Sequence, residues 1–412
     1  MGAEVVLNRW GDCVLYGLAS LYSFPVLPLD SELKFNPEND EQFFAAIPQR
    51  PGVYLIETRA ASAGSPAKPY LARTADLRRA AERLLRPPDG TSKRLNLRAV
   101  AGEFRFRVIG SRFEQSLALY LQAHEHFPAK YRGFLRLRPA ALLKVNLRNS
   151  YPRCYVTRRI LSDDGYYFGP FASRQQAESF ANQFLDLFKI RRCQIKIRRD
   201  PAFPGCIYSE MKMCLAPCFA GCTKEEYDRE VSRVVQTLES AGASLSGEIE
   251  REREAASEAM DFERAAALHK KIEKVTGVLR GLPDLARRVD NLHAVVIQRG
   301  SAENSVVIFG VVRGKIAEPL FLSFDQQASN PRSVEEVLRR HFGALSADER
   351  PENGATPMTK EEATEREDHL ALLARWYYSN PRDGEILFRD DDWPYRRILR
   401  ACARVLAAGN PA

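Results

Sequence analysis

The chain has 412 residues, enough for two to four domains at roughly 150 residues each, so it needs no disulfide staples to bury a core. Lys and Arg number 61 against 53 Asp and Glu, a formal net charge of +8, and a composition 45% hydrophobic and 28% charged excludes a disordered chain or an integral membrane protein.

Residues 1–45 read as an N-terminal extension without clear periodicity. Their apolar stretch, Val14 to Leu29, is interrupted by Pro25 and Pro28 and lacks a basic region followed by a small-residue cleavage site. It is neither signal peptide nor membrane span, and the expected location is cytoplasmic. From Pro51 the run PGVYLIE alternates as a strand, Ala60 to Pro69 turns the chain, and Tyr70-Leu71-Ala72 opens a second strand. Asp76 is placed to cap a helix reaching about Leu85, ended by Pro87-Pro88-Asp89-Gly90. Phe104 to Ile109 is a third strand and Phe113 to Phe127 a second helix, so residues 46–150 make a small α/β domain.

The charge is concentrated in that domain. Between Arg73 and Arg148, 17 basic residues face 6 acidic ones, an excess of 17 − 6 = 11 that exceeds the +8 of the whole chain. Seven aromatic residues, from Phe104 to Phe134, interleave with it. One-sided charge with stacking surfaces suits a nucleic-acid partner; the alternative is solvated faces over an aromatic core. The candidate contacts are Arg73, Arg78, Arg79 and Arg83, with Arg198 and Arg199 from a second basic run, Lys189 to Arg199.

Residues 151–240 form a helical, cysteine-rich domain. An extended stretch ends at Gly169-Pro170-Phe171, and Ala177, Phe180, Phe184 and Leu187 give Arg174 to Phe188 a helical period. Cys193, Cys206, Cys214, Cys218 and Cys222 then crowd into thirty positions, which in a reducing compartment suggests metal rather than disulfides. Arg191 and Arg192 are placed to offset thiolate charge or meet DNA. Glu225 to Glu239 is a further helix, and Gly242 to Gly247 a loosened link. A helical hairpin occupies 241–282, with Leu245, Ile249, Ala256 and Met260 on one arm, Phe262, Ala265, Leu268, Ile272, Val275 and Leu279 on the other, and Asp261 capping the second. In 283–412 the runs AVVIQ, SVVIFGVV and IAEPLFLSF predict a β-meander, followed by loop and helix. The charged tract Ser346 to Asp368 is expected to be a mobile insertion, and Asp390-Asp391-Asp392 a solvated turn. The fold class is α+β multidomain.

Six strings, PGVY (51–54), YLARTADLRR (70–79), SYP (150–152), YYFGPFAS (166–173), the cysteine segment and DFERAAALHKKI (261–272), stand in the order found in UvrC, the excinuclease subunit of bacterial nucleotide excision repair. The chain resembles that family over roughly residues 45–325. The resemblance implies a GIY-YIG nuclease-like domain at 46–150, whose chemistry needs tyrosines, an arginine and a glutamate that holds a divalent cation. Tyr54 and Tyr70 match the motif tyrosines. The second motif's glycine falls on Ala72, its lysine on Arg73, the catalytic arginine on Ala80 beside Arg79, the metal glutamate on Leu119, and the closing asparagine on Tyr131 or Arg132. The expectation is a DNA-binding, UvrB-binding repair component with a degenerate nuclease site. One alternative is an active endonuclease making a single incision, with Arg79 and a shifted carboxylate such as Glu114 or Glu125. Another is a metal-cluster scaffold outside repair.

The resemblance further implies a [4Fe-4S] cluster on Cys193, Cys206, Cys214 and Cys218. Zinc is the alternative metal, Cys222 a substitute for Cys218, and buried reduced thiols the structural alternative. The hairpin resembles the UVR domain through which such proteins bind UvrB, implying contacts from Phe262, Ala265, Ala266 and Ile272. Otherwise it is an intramolecular coiled-coil arm. A chain ending at Ala412 is expected to be a truncated form lacking the RNase H-like and helix-hairpin-helix modules of UvrC.

Overall fold

The computed structural model describes residues 27–59, 68–88, 94–163, 165–325, 331–347 and 358–408. The expected turn at 60–69, the end of the PPDG break and the middle of the 346–368 tract lie largely outside them. The fold is α+β, with three antiparallel sheets and a helical hairpin.

The first module contains β1 (Ser31–Lys34), α1 (Asp40–Ala46), β2 (Gly52–Thr58), β3 (Tyr70–Thr74), α2 (Leu77–Leu85), β4 (Ala101–Val108), α3 (Arg112–His126) and the single turn α4 (Tyr131–Phe134). Its strand order is β1-β4-β2-β3. Caps fix the helices locally: the Asp76 carboxylate accepts from the Arg79 amide at 3.0 Å and the Ser111 hydroxyl from Glu114 at 3.2 Å. The module begins earlier than residue 46, because β1 pairs with β4 and Phe35, Phe43 and Phe44 fill the core under α2. The signal for β1 is only four residues long, too short for alternation to register.

The middle module contains β5 (Ala141–Val145), β6 (Cys154–Thr157), β7 (Tyr166–Phe171), α5 (Arg174–Leu185), the turn α6 (Ile207–Glu210) and α7 (Lys224–Glu239). The hairpin follows as α8 (Ala243–Glu258) and α9 (Phe262–Arg280), joined at Asp261, whose carboxylate accepts from the Arg264 amide at 3.1 Å. Helix α8 begins at Ala243, so the expected link at 242–247 is a turn at Gly242 and then helix. Beyond the hairpin, β8 (Arg287–Arg288) returns to the middle sheet, giving the order β6-β5-β7-β8.

The last module holds β9 (Ala294–Arg299), β10 (Ser305–Val312), β11 (Lys315–Ile316), β12 (Leu320–Ser323), α10 (Pro331–Ala347), α11 (Lys360–Tyr377), β13 (Glu385–Phe388) and α12 (Tyr395–Ala407). Its order is β11-β10-β9-β13, with β12 also on β10. The run IAEPLFLSF, expected as one strand, splits into β11 and β12 around Pro319, which has no amide to give to a ladder. The tract expected to be mobile also differs: from Lys360 it is the start of α11, closed by a capping box between Thr359 and Glu362, with Asp368 and His369 completely buried.

One hydrophobic core joins the first and last modules. Val53, Leu55 and Leu71 of the first sheet pack with Phe113 and Leu117 of α3, with Val307 and Phe309 of β10, and with α11. Phe113 meets Phe309 edge-on at 5.0 Å and Trp376 at 5.3 Å, pairs worth about 0.5–1.5 kcal/mol each beyond their buried area. Here the backbones approach so closely that a Cβ on Gly110 would lie 2.1 Å from the Gly300 carbonyl carbon. The seam continues in the Arg112 amide, which donates to Asp383 at 3.0 Å, and in Arg107, stacked 5.2 Å over the Phe321 ring.

Candidate functional site

Tyr54 and Tyr70 sit on paired strands with ring centroids 6.3 Å apart, and Tyr54 also stacks on Phe104 at 5.2 Å. Tyr54 is wholly buried. Burial first, and then Tyr70, pushes its hydroxyl up to about 12, against the pull of the Arg83 guanidinium. At neutral pH it therefore keeps its proton and can donate but not act as a base. Ala80 is packed in the core below α2 and Arg79 is exposed, its amide spent on the Asp76 cap. The arginine that reaches Tyr54 is Arg83, one turn beyond Ala80 on the same face of α2. Sequence reasoning placed Arg83 only among DNA contacts; the three-residue step from Ala80 was the available signal.

No carboxylate hydrogen-bonds either tyrosine among the described residues. Leu119 lies half-buried against the core shared with the last module. Glu114 is enclosed at 1% exposure, where its carboxylate accepts the Gly110 amide at 3.1 Å and stands 3.6 Å from Arg107. Burial raises its pKa despite those partners. Glu125 is exposed. The positions assigned to the closing asparagine have another occupation. Tyr131 donates to the buried Asp368 at 2.6 Å, Tyr120 to the same carboxylate at 3.4 Å, and Arg132 grips Asp368 at 2.7 Å and Glu367 at 3.2 Å. These side chains of the first module are fastened to α11.

Of the candidate DNA contacts, Arg73, Arg79, Arg83, Arg198 and Arg199 are exposed. Arg78 is half-buried and holds the backbone, donating to the Ile47 carbonyl at 2.7 Å and the Ala45 carbonyl at 3.0 Å. Arg199 also donates to the Cys222 carbonyl at 3.1 Å. Some of the regional charge excess is structural: Arg98 pairs with Asp40 at 2.7 Å and Arg107 with Asp30 at 3.1 Å.

The cysteine segment is pinned at its entry. Arg191, 6% exposed, donates to the Tyr151 carbonyl at 2.7 Å and the Ile195 carbonyl at 2.9 Å, while its amide donates to the Tyr227 hydroxyl at 3.0 Å. Arg192 pairs with Asp186 at 2.7 Å. Two backbone bonds fold the segment on itself, Leu215 to Lys189 at 3.0 Å and Asp200 to Cys218 at 2.9 Å. The thiols of Cys193, Cys206, Cys214 and Cys218 come within electrostatic reach of one another. Burial and then the neighbouring sulfurs push Cys214 up to about 11, although its sulfur accepts the Ala216 amide at 3.3 Å. Lys212, Ala216 and Ala220 hold positive φ angles of 55°, 55° and 62°, strained for residues with a Cβ and sustained only where surroundings enforce them. Four thiols are the ligand set of a cluster or zinc site, but no three such ligands assemble at metal-binding geometry among the described residues. Cys222 is buried in the middle core, within electrostatic reach of Cys218.

On the hairpin, Ala256, Leu268 and Val275 are buried and Ala265 and Ile272 partly so. The tip is different: Met260 is 77% exposed and Phe262 69%, with Ala266 also outward. An apolar pair at a helix–helix tip is a surface that gains from being covered.

Curated proteins match much of this sequence. UvrABC system protein C of Dehalococcoides mccartyi is 26% identical over 278 residues, covering 66% of this chain and 44% of the relative. The protein of that name from Carboxydothermus hydrogenoformans is 25% identical over 298 residues, 72% of this chain and 48% of the relative. That of Nitratidesulfovibrio vulgaris is 33% identical over 172 residues, 39% and 24% respectively. The family model described as UvrC/Cho excinuclease, middle domain, matches residues 141–237, and the UvrB/uvrC motif matches 245–275. The chain is similar to UvrC proteins, through their middle domain and the UvrB/uvrC motif. It spans less than half the length of these UvrC relatives. The middle-domain match runs from β5 into α7 and contains the whole cysteine segment, and the motif match covers both arms of the hairpin. No solved structure matches the chain. Among the described residues no helix is long and apolar enough to cross a membrane.

Proposed function

We propose that the chain acts in nucleotide excision repair as a UvrC-like component that binds DNA and UvrB, and that its GIY-YIG-like domain no longer cuts. The observation that carries this reading is the attachment of Tyr131 and Arg132 to Asp368. Groups standing where the nuclease pattern needs an asparagine hold two modules together, and Leu119, in place of a hard-cation ligand, lies against that shared core. Exposed Arg73, Arg79 and Arg83 give the same module a DNA-binding face, and exposed Met260 and Phe262 give the hairpin a surface for UvrB.

The test is incision of damaged duplex by the full chain together with UvrB, with Mg²⁺ or Mn²⁺. Binding without nicking is the expected result; nicking that Tyr70→Phe abolishes overturns the reading. A cutting enzyme is favoured only by the approach of Arg83 to Tyr54, and it would need a carboxylate brought to that pair.

In this reading Cys193, Cys206, Cys214 and Cys218 hold a [4Fe-4S] cluster. Their mutual repulsion as thiolates is what a bound cation would relieve. A brown preparation that bleaches with chelator and oxygen is expected; a colourless protein with stoichiometric zinc replaces the cluster with zinc.

A further inference from the structure

A second basic cleft lies where the hairpin returns to the body. It has a volume of about 360 Å³ and opens between β8, the end of α11, the edge strand β13 and the start of α12. That is the scale of small-ligand pockets, roughly 300–1,000 Å³, and admits a nucleotide or two but not a duplex. Three arginines line it, Arg287, Arg382 and Arg397, and none forms an ion pair with a carboxylate among the described residues. Two of them are oriented in advance. Arg287 lies 4.2 Å over the Phe388 ring, and its Nε donates to the Asp284 carbonyl at 2.9 Å, while its terminal nitrogens have no hydrogen-bond partner among the described residues. Arg382 lies 4.7 Å over Tyr377 and 5.6 Å over Trp376.

A guanidinium held by stacking and by its Nε presents the remaining N–H fork to a tetrahedral oxyanion at little entropic cost. Tyr377, half-buried under Arg382, lines the cleft beside it. Asp284 and Asp390 also line the opening, so three arginines meet two aspartates and the net lining charge is only 3 − 2 = +1. That balance favours a thin strand with one or two phosphates in register with the forks over a dense polyanion.

We propose that this cleft binds the phosphodiester backbone of a single DNA strand, at a site separate from the Arg73–Arg148 face. The inference rests on the DNA-binding reading above and extends it to the root of the hairpin. The test uses the full chain and a fluorescent oligothymidylate of about 12 nucleotides, followed by anisotropy over a salt series. Arg287→Gln with Arg382→Gln should weaken binding about tenfold and flatten the dependence of log K on log salt by about 0.7 for each phosphate no longer held. Arg397→Gln removes an exposed, unstacked arginine, so its weaker binding cannot be ascribed to unfolding. Arg83→Gln, measured in parallel, should lose affinity additively with these changes.

If the wild-type chain does not bind the oligonucleotide, both the DNA-binding reading and the cleft fail. If it binds, and the cleft variants bind equally with unchanged circular dichroism, the cleft alone is overturned. Inorganic phosphate that displaces the strand completely at matched ionic strength would make the cleft a simple anion site and also overturn the proposal.

Discussion

Glu103 illustrates how a single position can carry a pH dependence. On β4 it faces Lys34 of β1 and Glu57 of β2 in register, and it shares a hydrogen bond with Glu32. That bond, then burial and the charges of Glu32 and Glu57, raise its pKa from 4.5 to about 7. The folded state thus holds a proton there that the unfolded chain has released, so stability falls as pH rises from about 4.5 to 7. Glu103→Gln should remove that slope, giving a Tm higher than wild type at pH 8 and little changed near pH 5; equal effects at both pH values would contradict the shared proton. None of this was legible in sequence, because a strand pattern does not tell which carboxylates become neighbours. Tyr54 and Tyr70 were legible, since the alternation of PGVYLIE and its partner fixes their pairing. Arg83 was not recognised beside them because counting from Tyr70 led to Ala80, and the helix supplies its cation one turn later.

At the scale of elements, sequence signals worked where they were local. Asp76 and Asp261 cap the helices they were expected to cap, because an Asx cap is written in four consecutive residues. They failed where tertiary pairing decides: β1 and β13 are four residues each and become strands only on the edges of existing sheets. The hairpin allows a direct check. Its arms close on Ala256, Leu268 and Val275, while Phe262 makes no demand on that packing. Phe262→Ser should leave stability within about 0.5 kcal/mol of wild type yet weaken capture of UvrB, measured by calorimetry. Leu268→Ala, by contrast, should cost about 2–5 kcal/mol. If Phe262→Ser left UvrB affinity intact, the tip would not be the contact surface.

For the whole molecule, the shared core makes the first and last modules one cooperative unit. Asp368 receives Tyr120, Tyr131 and Arg132 while completely buried, so Asp368→Ala strips acceptors from three donors and should cost about 1–3 kcal/mol. Differential scanning calorimetry should show the two modules melting together in the wild type and separating in that variant; independent transitions in the wild type would contradict the shared core. The sequence of residues 46–150 and 283–412 carries no sign of this contact, because an alternating strand shows that a face is buried, not what buries it. The same feature sets an order of events during synthesis. The face formed by Val53, Leu55, Leu71 and Phe113 is finished early, yet the helix that shelters it, α11, starts at Lys360. At ordinary elongation rates that gap lasts on the order of 10–50 s. Throughout that interval a nascent chain carries an apolar face awaiting its own distant half, and it is then that it most needs a chaperone.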